Sequence, residues 1–349
     1  MPTRADRPRV YRGAIIGSGG IARNAHIPAF LHGGGVRERV ELVALVDAAP
    51  DVAPIPDLAV PLLRSPDELA GVGPIDFIDI CTPTASHLDL TLWGLEHGCH
   101  VLCEKPVALT RAEADRIAAA ARAADRVVMP CHQYRFNPAW LKVREWLREG
   151  RIGRWYLADF AVYRQFADPG SRPAARPWRG TGGASRGGVL LDHGTHLIYQ
   201  LLDVAGEPTG VRAWTGRLLH QDYDVEDTAG LLLEYPDRLA TVFLTWAAHH
   251  RENRMRFLGE AGSIAWIGGE LRLTGHGTAE RLDFTRELDK ASYWRWFACL
   301  FLDFIAALDG RGGASFLEDI AQVAGVLERA YAAAGSSSPA ADVGIPAPA

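Results

Sequence analysis

The sequence predicts an α/β protein of two domains: a doubly wound parallel sheet, then a second α/β domain with an open, mostly antiparallel sheet. Three observations predict it. The 349 residues exceed what one ordinary core holds. Up to Pro130, short apolar runs alternate with helical patterns, as in a parallel sheet covered on both faces. After Cys131 the pattern turns to successive β-type runs punctuated by glycine. The expected domains are 8–131 and 132–335, with a flexible Ser/Pro/Ala-rich tail over 336–349.

The elements follow in order. Val10–Ile16 reads as a strand, 21–32 as a helix and Glu41–Val46 as a second strand. Ser65-Pro66-Asp67-Glu68 opens a short helix, with Ser65 as N-cap, proline at the first position and Glu68 completing a capping box. Phe77–Cys81 is a buried strand, His87–His97 a helix and Val101–Cys103 a strand. Thr110 and Glu113 form another capping box, opening a helix to Ala124, and Val127–Pro130 is a strand. Beyond it come a helix over 140–149, a strand over 155–163, a long Gly/Pro/Arg/Ser-rich loop over 165–188 and a helix over 189–204. A long loop in a compact chain is more often functional than not. Six β runs (211–218, 228–235, 240–247, 254–258, 263–267 and 270–274) and two helices (293–308 and 317–333) complete the chain.

The bulk composition excludes several classes. A formal charge of −5, with no basic run interleaved with aromatics, gives no reason to expect nucleic-acid binding. The N-terminus lacks an apolar stretch, and the longest apolar region, 296–308, is broken by Asp303 and falls short of a membrane span. Five cysteines (Cys81, Cys99, Cys103, Cys131 and Cys299) form no CxxC pair, so reduced thiols in a cytoplasmic enzyme are expected. Of the 37 basic residues only Lys105, Lys142 and Lys290 are lysine, the type that exchanges a proton near neutral pH when buried.

The turn Gly17-Ser18-Gly19-Gly20-Ile21-Ala22 follows a strand and opens a helix. Gly17 permits the tight turn, Gly19 lets backbone approach a pyrophosphate, and Ala22 lets helix and strand pack closely. Gly17, Gly19, Gly20 and Ile21 are therefore candidate dinucleotide contacts. Asp47 ends the second strand, where a carboxylate accepts ribose hydroxyls and repels a 2′-phosphate. Ala48, Ala49 and Pro50 supply no arginine for such a phosphate. NAD is expected in preference to NADP.

Four further segments, in order, resemble the Gfo/Idh/MocA oxidoreductase family: Cys81-Thr-Pro-Thr-Ala-Ser-His87, Glu104-Lys105-Pro106, Tyr134-Arg-Phe-Asn-Pro138 and Gly187-Gly-Val-Leu-Leu-Asp192-His-Gly-Thr-His196. Ala22-x-x-x-His26-x-Pro28-Ala29, Val225-Glu-Asp227-Thr and Glu260-Ala-Gly-Ser-Ile264 extend the match over 10–335. The resemblance implies a Rossmann domain, an α/β domain with an open sheet, nicotinamide-dependent redox chemistry on sugars, inositols or related polyols, and homodimers or homotetramers built on the back of the sheet.

The same resemblance points to Lys105, Asp192 and His196 as catalytic. Oxidising a secondary alcohol needs a base for the hydroxyl proton, and the reverse needs an acid; histidine has the pKa for that exchange. Asp192 and His196, four apart, share a face if both are helical, letting Asp192 orient the imidazole. Lys105 would polarise the reacting oxygen, its direction set by a cis bond to Pro106. Neighbouring His193, about 100° round such a helix, is a substrate-side candidate standing behind these groups. No third ligand accompanies Asp192 and His196, so no metal is expected. Thr82 and Pro83 would line the nicotinamide side, Glu104 would lie near a cofactor ribose, and His87 would face the cofactor or serve the fold. Arg135, Tyr163, Trp178 and Arg179 are candidates for the substrate wall. Where the family often has aspartate three residues after the histidine, this chain has Tyr199, which would alter bonding and bulk near the substrate. The leading reading is an NAD(P)-dependent dehydrogenase acting on CH–OH groups. The alternatives are a glycoside-cleaving enzyme using NAD transiently and a non-catalytic NAD sensor.

Overall fold

The first sheet of the computed structural model has six strands, all parallel: β1 (Tyr11–Ile16), β2 (Val40–Val46), β3 (Leu62–Leu63), β4 (Phe77–Ile80), β5 (His100–Cys103) and β6 (Val128–Pro130). Their order is β3-β2-β1-β4-β5-β6, which reverses direction beside β1 and opens a crevice at the strands' carboxyl ends. Residues 8–167, 178–275 and 277–336 are described. The middle of the 165–188 loop and the tail beyond 336 lie outside them.

The helices between these strands are α1 (Ile27–His32), α2 (His87–Glu96) and α3 (Arg111–Ala124). The chain reaches α1 through a wide turn over Ala22–His26 with i→i+5 hydrogen bonds. The predicted box closes at Ser65 but only half forms at Thr110, where the Glu113 carboxylate reaches past Thr110 to accept the Leu109 N–H. Ser65 and Glu68 close their box at a short helix over 66–71, and Thr110 accepts the Glu113 N–H at 3.2 Å. Beyond β6, Asn137 accepts the N–H groups of Ala139 and Trp140 to start α4 (Pro138–Arg148).

The second sheet has eight strands: β7 (Trp155–Tyr163), β8 (Gly210–Gly216), β9 (Thr228–Glu234), β10 (Leu239–Thr245), β11 (Glu252–Gly259), β12 (Gly262–Ile267), β13 (Glu270–Gly275) and β14 (Thr278–Asp283). The order is β14-β13-β12-β11-β7-β10-β9-β8, antiparallel except for β7 against β10. The sequence missed β14 and the two-residue β3. Two α-helices lie between β7 and β8: a single turn, α5 (Gly182–Ser185), and α6 (Thr195–Ala205), which continues a second i→i+5 turn over Leu190–Gly194.

The two sheets fall on either side of residue 132; the last two helices do not. α7 (Trp294–Leu308), assigned by sequence to the second domain, buries Phe297, Phe301 and Phe304 in the first. Phe301 stacks on Phe30 of α1 at 4.2 Å, and Phe304 meets Phe77 of β4 edge-on. With the turn before it, the helical stretch Lys290–Leu308 is long and apolar enough to span a bilayer by composition, which the shorter apolar run 296–308 is not, but here its aromatic stripe fills the core beside the glycine turn. α8 (Phe316–Ser336) is buried on two faces. Ile320, Ala321 and Ala324 pack with α3 and β6, while Val323, Val326, Leu327 and Ala330 join the second core. Apolar periodicity marks a buried face without saying which neighbour covers it.

Candidate active site

One cleft runs from the glycine turn to the Gly187–His196 segment, with a volume of about 1790 Å³. That exceeds the roughly 300–1,000 Å³ of an ordinary small-molecule pocket and suits a dinucleotide with a substrate beside it.

At one end, Gly17 follows β1 with φ +97, and its N–H donates to Val46 O at 2.8 Å. A Cβ there would lie 2.8 Å from the Cys81 carbonyl, so only glycine fits. Gly19 has no atom within 4 Å of its would-be Cβ. No described residue requires glycine there, whereas a pyrophosphate laid against this backbone would. Gly20 and Ile21 line the same end, where a helix presents N–H groups without intrahelical partners. The donor set fits a pyrophosphate.

Asp47 lies beside this turn. Its Oδ2 accepts Ser18 N–H at 2.8 Å and Ser18 Oγ–H at 2.5 Å, and its Oδ1 accepts Ala49 N–H at 2.9 Å. Burial works to raise its pKa, but the Ser18 and Ala49 hydrogen bonds outweigh it and hold the carboxyl below its usual range. Ala48, Ala49 and Pro50 carry no guanidinium, but arginines from elsewhere in the chain do reach this end. Arg23 and Arg64 both line this end, donating to the carbonyls of Ser18 and Ala53 and of Asp47 and Pro50.

At the other end, Lys105 follows β5 through a cis bond to Pro106. Its Nζ donates to Asp192 Oδ1 and to Asp192 O, both at 2.7 Å. Asp192 also lies 3.4 Å from Arg179 Nε and 3.2 Å from His193 Nδ1. Burial would raise its pKa, yet Lys105, Arg179 and His193 together hold it well below the carboxylate range. Burial pushes His193 down to about 3 and His196 well below its usual value. Both imidazoles are therefore neutral near pH 7. Tyr134 stacks on His196 at 4.2 Å with the rings 11° apart.

Several expectations are corrected. Asp192 does not orient His196; the Nδ1 of His196 faces the Tyr199 hydroxyl at 2.9 Å. The i→i+5 turn over 190–194 changes the angular spacing assumed for i,i+4, and it brings His193 to line the cleft. Tyr199 is fully buried, stacks on His132 at 4.2 Å and is no substrate wall. Arg135 is turned away, in a two-bond pair with Asp319 at 2.6 and 3.1 Å. Tyr163 packs on the opposite face of the sheet against Phe243 and His250. Successive strand residues alternate faces, so the next residue, Arg164, lines the cleft instead. His87 lines the cleft, and its ring nitrogens lie 2.8 and 2.9 Å from Pro106 O and Thr82 O; burial lowers its pKa, so the neutral ring donates to one of these carbonyls and serves the fold as the sequence allowed. Thr82, Pro83, Trp178 and Arg179 do line the cleft, with the Arg179 guanidinium over the Trp178 ring.

Glu104 also lines the cleft, but its Oε2 accepts the Lys105 N–H at 3.2 Å and its Oε1 lies 3.0 Å from His26 Nε2. Fully buried His26 reaches Asp79 through Nδ1 at 2.8 Å. Burial alone would lower its pKa, yet Asp79 raises it well above the usual value, so a charged imidazolium bridges two carboxylates. His26, Asp79 and Cys131 have their donor atoms within 4.8 Å of one another, but the His26 ring is already bonded on both sides. Sequence reasoning gave His26 no role, and it missed Arg164, Arg251, Asn253 and Tyr293 as cleft residues.

Comparison with known proteins bears on this arrangement. Residues 11–132 match a family model described as an oxidoreductase family with an NAD-binding Rossmann fold. Residues 140–265 match the Gfo/Idh/MocA C-terminal domain. The chain is 29% identical over 202 residues to the D-glucoside 3-dehydrogenase of Escherichia coli, a match covering 56% of this chain and 54% of that relative, about half its length. It is 27% identical over 267 residues to the D-xylose 1-dehydrogenase [NADP(+)] of Haloarcula marismortui, covering 72% of each. The WlbA dehydrogenase of Bordetella pertussis, solved with NADH and UDP-GlcNAcA, has a similar fold, with a TM-score of 0.77 at 23% identity over 95% of this chain and 98% of the other.

Proposed function

The chain belongs to the Gfo/Idh/MocA family of oxidoreductases, and from this we propose that it is an NAD-dependent dehydrogenase moving hydride between nicotinamide and a secondary alcohol or ketone of a sugar, cyclitol or related polyol. Its relatives support the substrate class, being named for dehydrogenation of a glucoside and of xylose. The observation that carries the reading is Lys105, Asp192 and His196 gathered in the same cleft as the glycine turn.

Bound nicotinamide would supply the hydride acceptor. The protein's own groups handle the proton and the charge. Neutral His196, with Nδ1 on Tyr199, leaves Nε2 for the substrate hydroxyl and takes its proton during oxidation. Lys105 polarises the reacting oxygen, and Asp192 holds the lysine in place through two bonds. Trp178 and Trp296 supply apolar faces for a ring. Asp47 supports NAD over NADP through its charge beside the turn.

We also propose a cytoplasmic homodimer or homotetramer. Trp214, Phe243 and Ile267 lie in one registered row across the second sheet, each more than 40% exposed, on the face away from the core. Light scattering would report the mass, and a monomer would end this part of the reading.

The function is tested by offering neutral and charged polyols with NAD⁺ and with NADP⁺ and following reduced nicotinamide by absorbance. Reduction with a polyol, faster with NAD⁺, is expected. Product release without net cofactor reduction would point to transient oxidation instead.

A further inference from the structure

Arg164 and Arg251 line the Lys105 end of the cleft, and neither has a carboxylate partner among the described residues. Arg164 is only 6% exposed. Its guanidinium is held by neutral acceptors alone: Tyr163 O at 2.6 Å, Glu252 O at 2.9 Å and Asn253 Oδ1 at 2.7 Å. The nearby carboxylates are engaged elsewhere. Glu252 faces His250 and Arg254, Glu104 faces His26, and Asp192 faces Lys105 and Arg179. Burial, helped by the neighbouring Arg251, pushes Arg164 down to about 10. A buried guanidinium fixed in place beside a second one is costly without an anion. Its planar fork matches the spacing of carboxylate or phosphate oxygens.

We propose that the substrate is an anionic polyol, a sugar or cyclitol derivative bearing a carboxylate or phosphate, with Arg164 and Arg251 holding that oxyanion while Lys105 and His196 meet the reacting carbon's oxygen. This rests on the dehydrogenase reading and narrows it. A hydroxyl group also accepts from arginine, but it leaves both charges uncompensated. Arg251 is exposed, so the anion enters from solvent and only Arg164 must be kept dry.

The test uses the full-length protein loaded with NAD⁺ and three probes: D-glucose, D-glucuronate and a hexose phosphate. Each is followed by formation of reduced nicotinamide and, separately, by calorimetric binding. One charged probe is expected to exceed D-glucose in kcat/KM by about 100-fold or more, and which one it is separates carboxylate from phosphate. Arg251→Gln, at an exposed position, is expected to reduce that charged-over-neutral ratio at least tenfold. Arg164→Lys, which keeps the charge and loses the fork, is expected to reduce it less. A neutral sugar used as well as the charged ones, or a ratio that Arg251→Gln leaves unchanged, overturns the proposal. If no probe is oxidised the dehydrogenase reading suffers, and calorimetry still decides the anion site. Charged-probe binding weakened tenfold or more by Arg251→Gln upholds it, and absence of binding by either charged probe overturns it.

Discussion

The Tyr199 hydroxyl lies 2.9 Å from His196 Nδ1 and also accepts the Tyr134 N–H at 3.0 Å. A hydroxyl both donates and accepts, so Tyr199 supports either tautomer of the imidazole. A carboxylate there would fix Nδ1–H and favour the imidazolium. Tyr199→Phe removes only the oxygen. We expect kcat to fall about tenfold, as a hydrogen bond of roughly 1.4 kcal/mol would imply, with KM changed less. The Tyr134 N–H, left unpaired, should lower the melting temperature too. An unaltered kcat would mean that the hydroxyl serves packing alone.

Lys105→Ala and His196→Ala remove the two groups placed to handle the proton and the oxygen's charge. Each should lower kcat by about 10²–10⁴-fold and leave NAD affinity within a few-fold, because the turn that would hold the dinucleotide is at the other end of the cleft. Single-turnover rates together with a cofactor titration check both halves. Wild-type-like turnover in either variant removes that residue from the mechanism.

Much of this was legible in the sequence because it is local. The caps at Ser65 and Thr110 and the strand–turn–helix around Gly17 need only their near neighbours. What was not legible depends on tertiary pairing or on a change of helical pitch. His26, Asp79 and Glu104 are far apart in the chain and meet only across the folded domain. Asp192 and His196 were given a regular helical spacing that the wide turn over 190–194 removes. Arg164 was missed by one residue, since the aromatic candidate beside it falls on the other face of the strand. Arg135 carried a charge suited to a ligand, but nothing near it in sequence revealed Asp319 as its partner.

Asp47→Ala should erode the preference for NAD. The carboxylate carries charge beside the expected ribose, and Arg23 and Arg64 remain to attract a 2′-phosphate once it is gone. A shift of at least tenfold in the NADP/NAD ratio of kcat/KM is expected, about 1.4 kcal/mol. An unchanged ratio would mean that Asp47 serves only to hold Ser18.

Acid should destabilise the fold through its buried neutral histidines. Burial first of all pushes His193 down to about 3 and His100 to about 4. Below about pH 6.5 the unfolded chain protonates both while the folded chain does not. Stability is thus lost as pH falls from 6.5, by roughly 2 kcal/mol at pH 5 for His193 alone. His26 has the opposite sign. Its folded pKa is raised, so its contribution is full below about 6.5 and is lost as pH rises through the folded value. Urea titrations at several pH values should therefore give a midpoint that falls on the acid side of 6.5. A flat midpoint down to pH 5 would contradict the neutral state of His193.

Gly17 and Gly19 separate what the fold needs from what the ligand needs. Gly17→Ala puts a Cβ 2.8 Å from the Cys81 carbonyl at a φ of +97. Such a backbone costs about 1–3 kcal/mol for an L-residue before the overlap is counted, so the melting temperature should fall even without cofactor. Gly19→Ala meets no atom within 4 Å, so the cofactor-free protein should melt almost as the parent does. The added methyl would instead occupy space the pyrophosphate needs. We expect the NAD Kd to rise by about tenfold or more, read by fluorescence titration on a protein whose melting curve is intact. Gly19→Ala binding NAD as tightly as the parent would move the pyrophosphate off this turn, and with it the end-to-end orientation of the cofactor relative to Lys105 and His196.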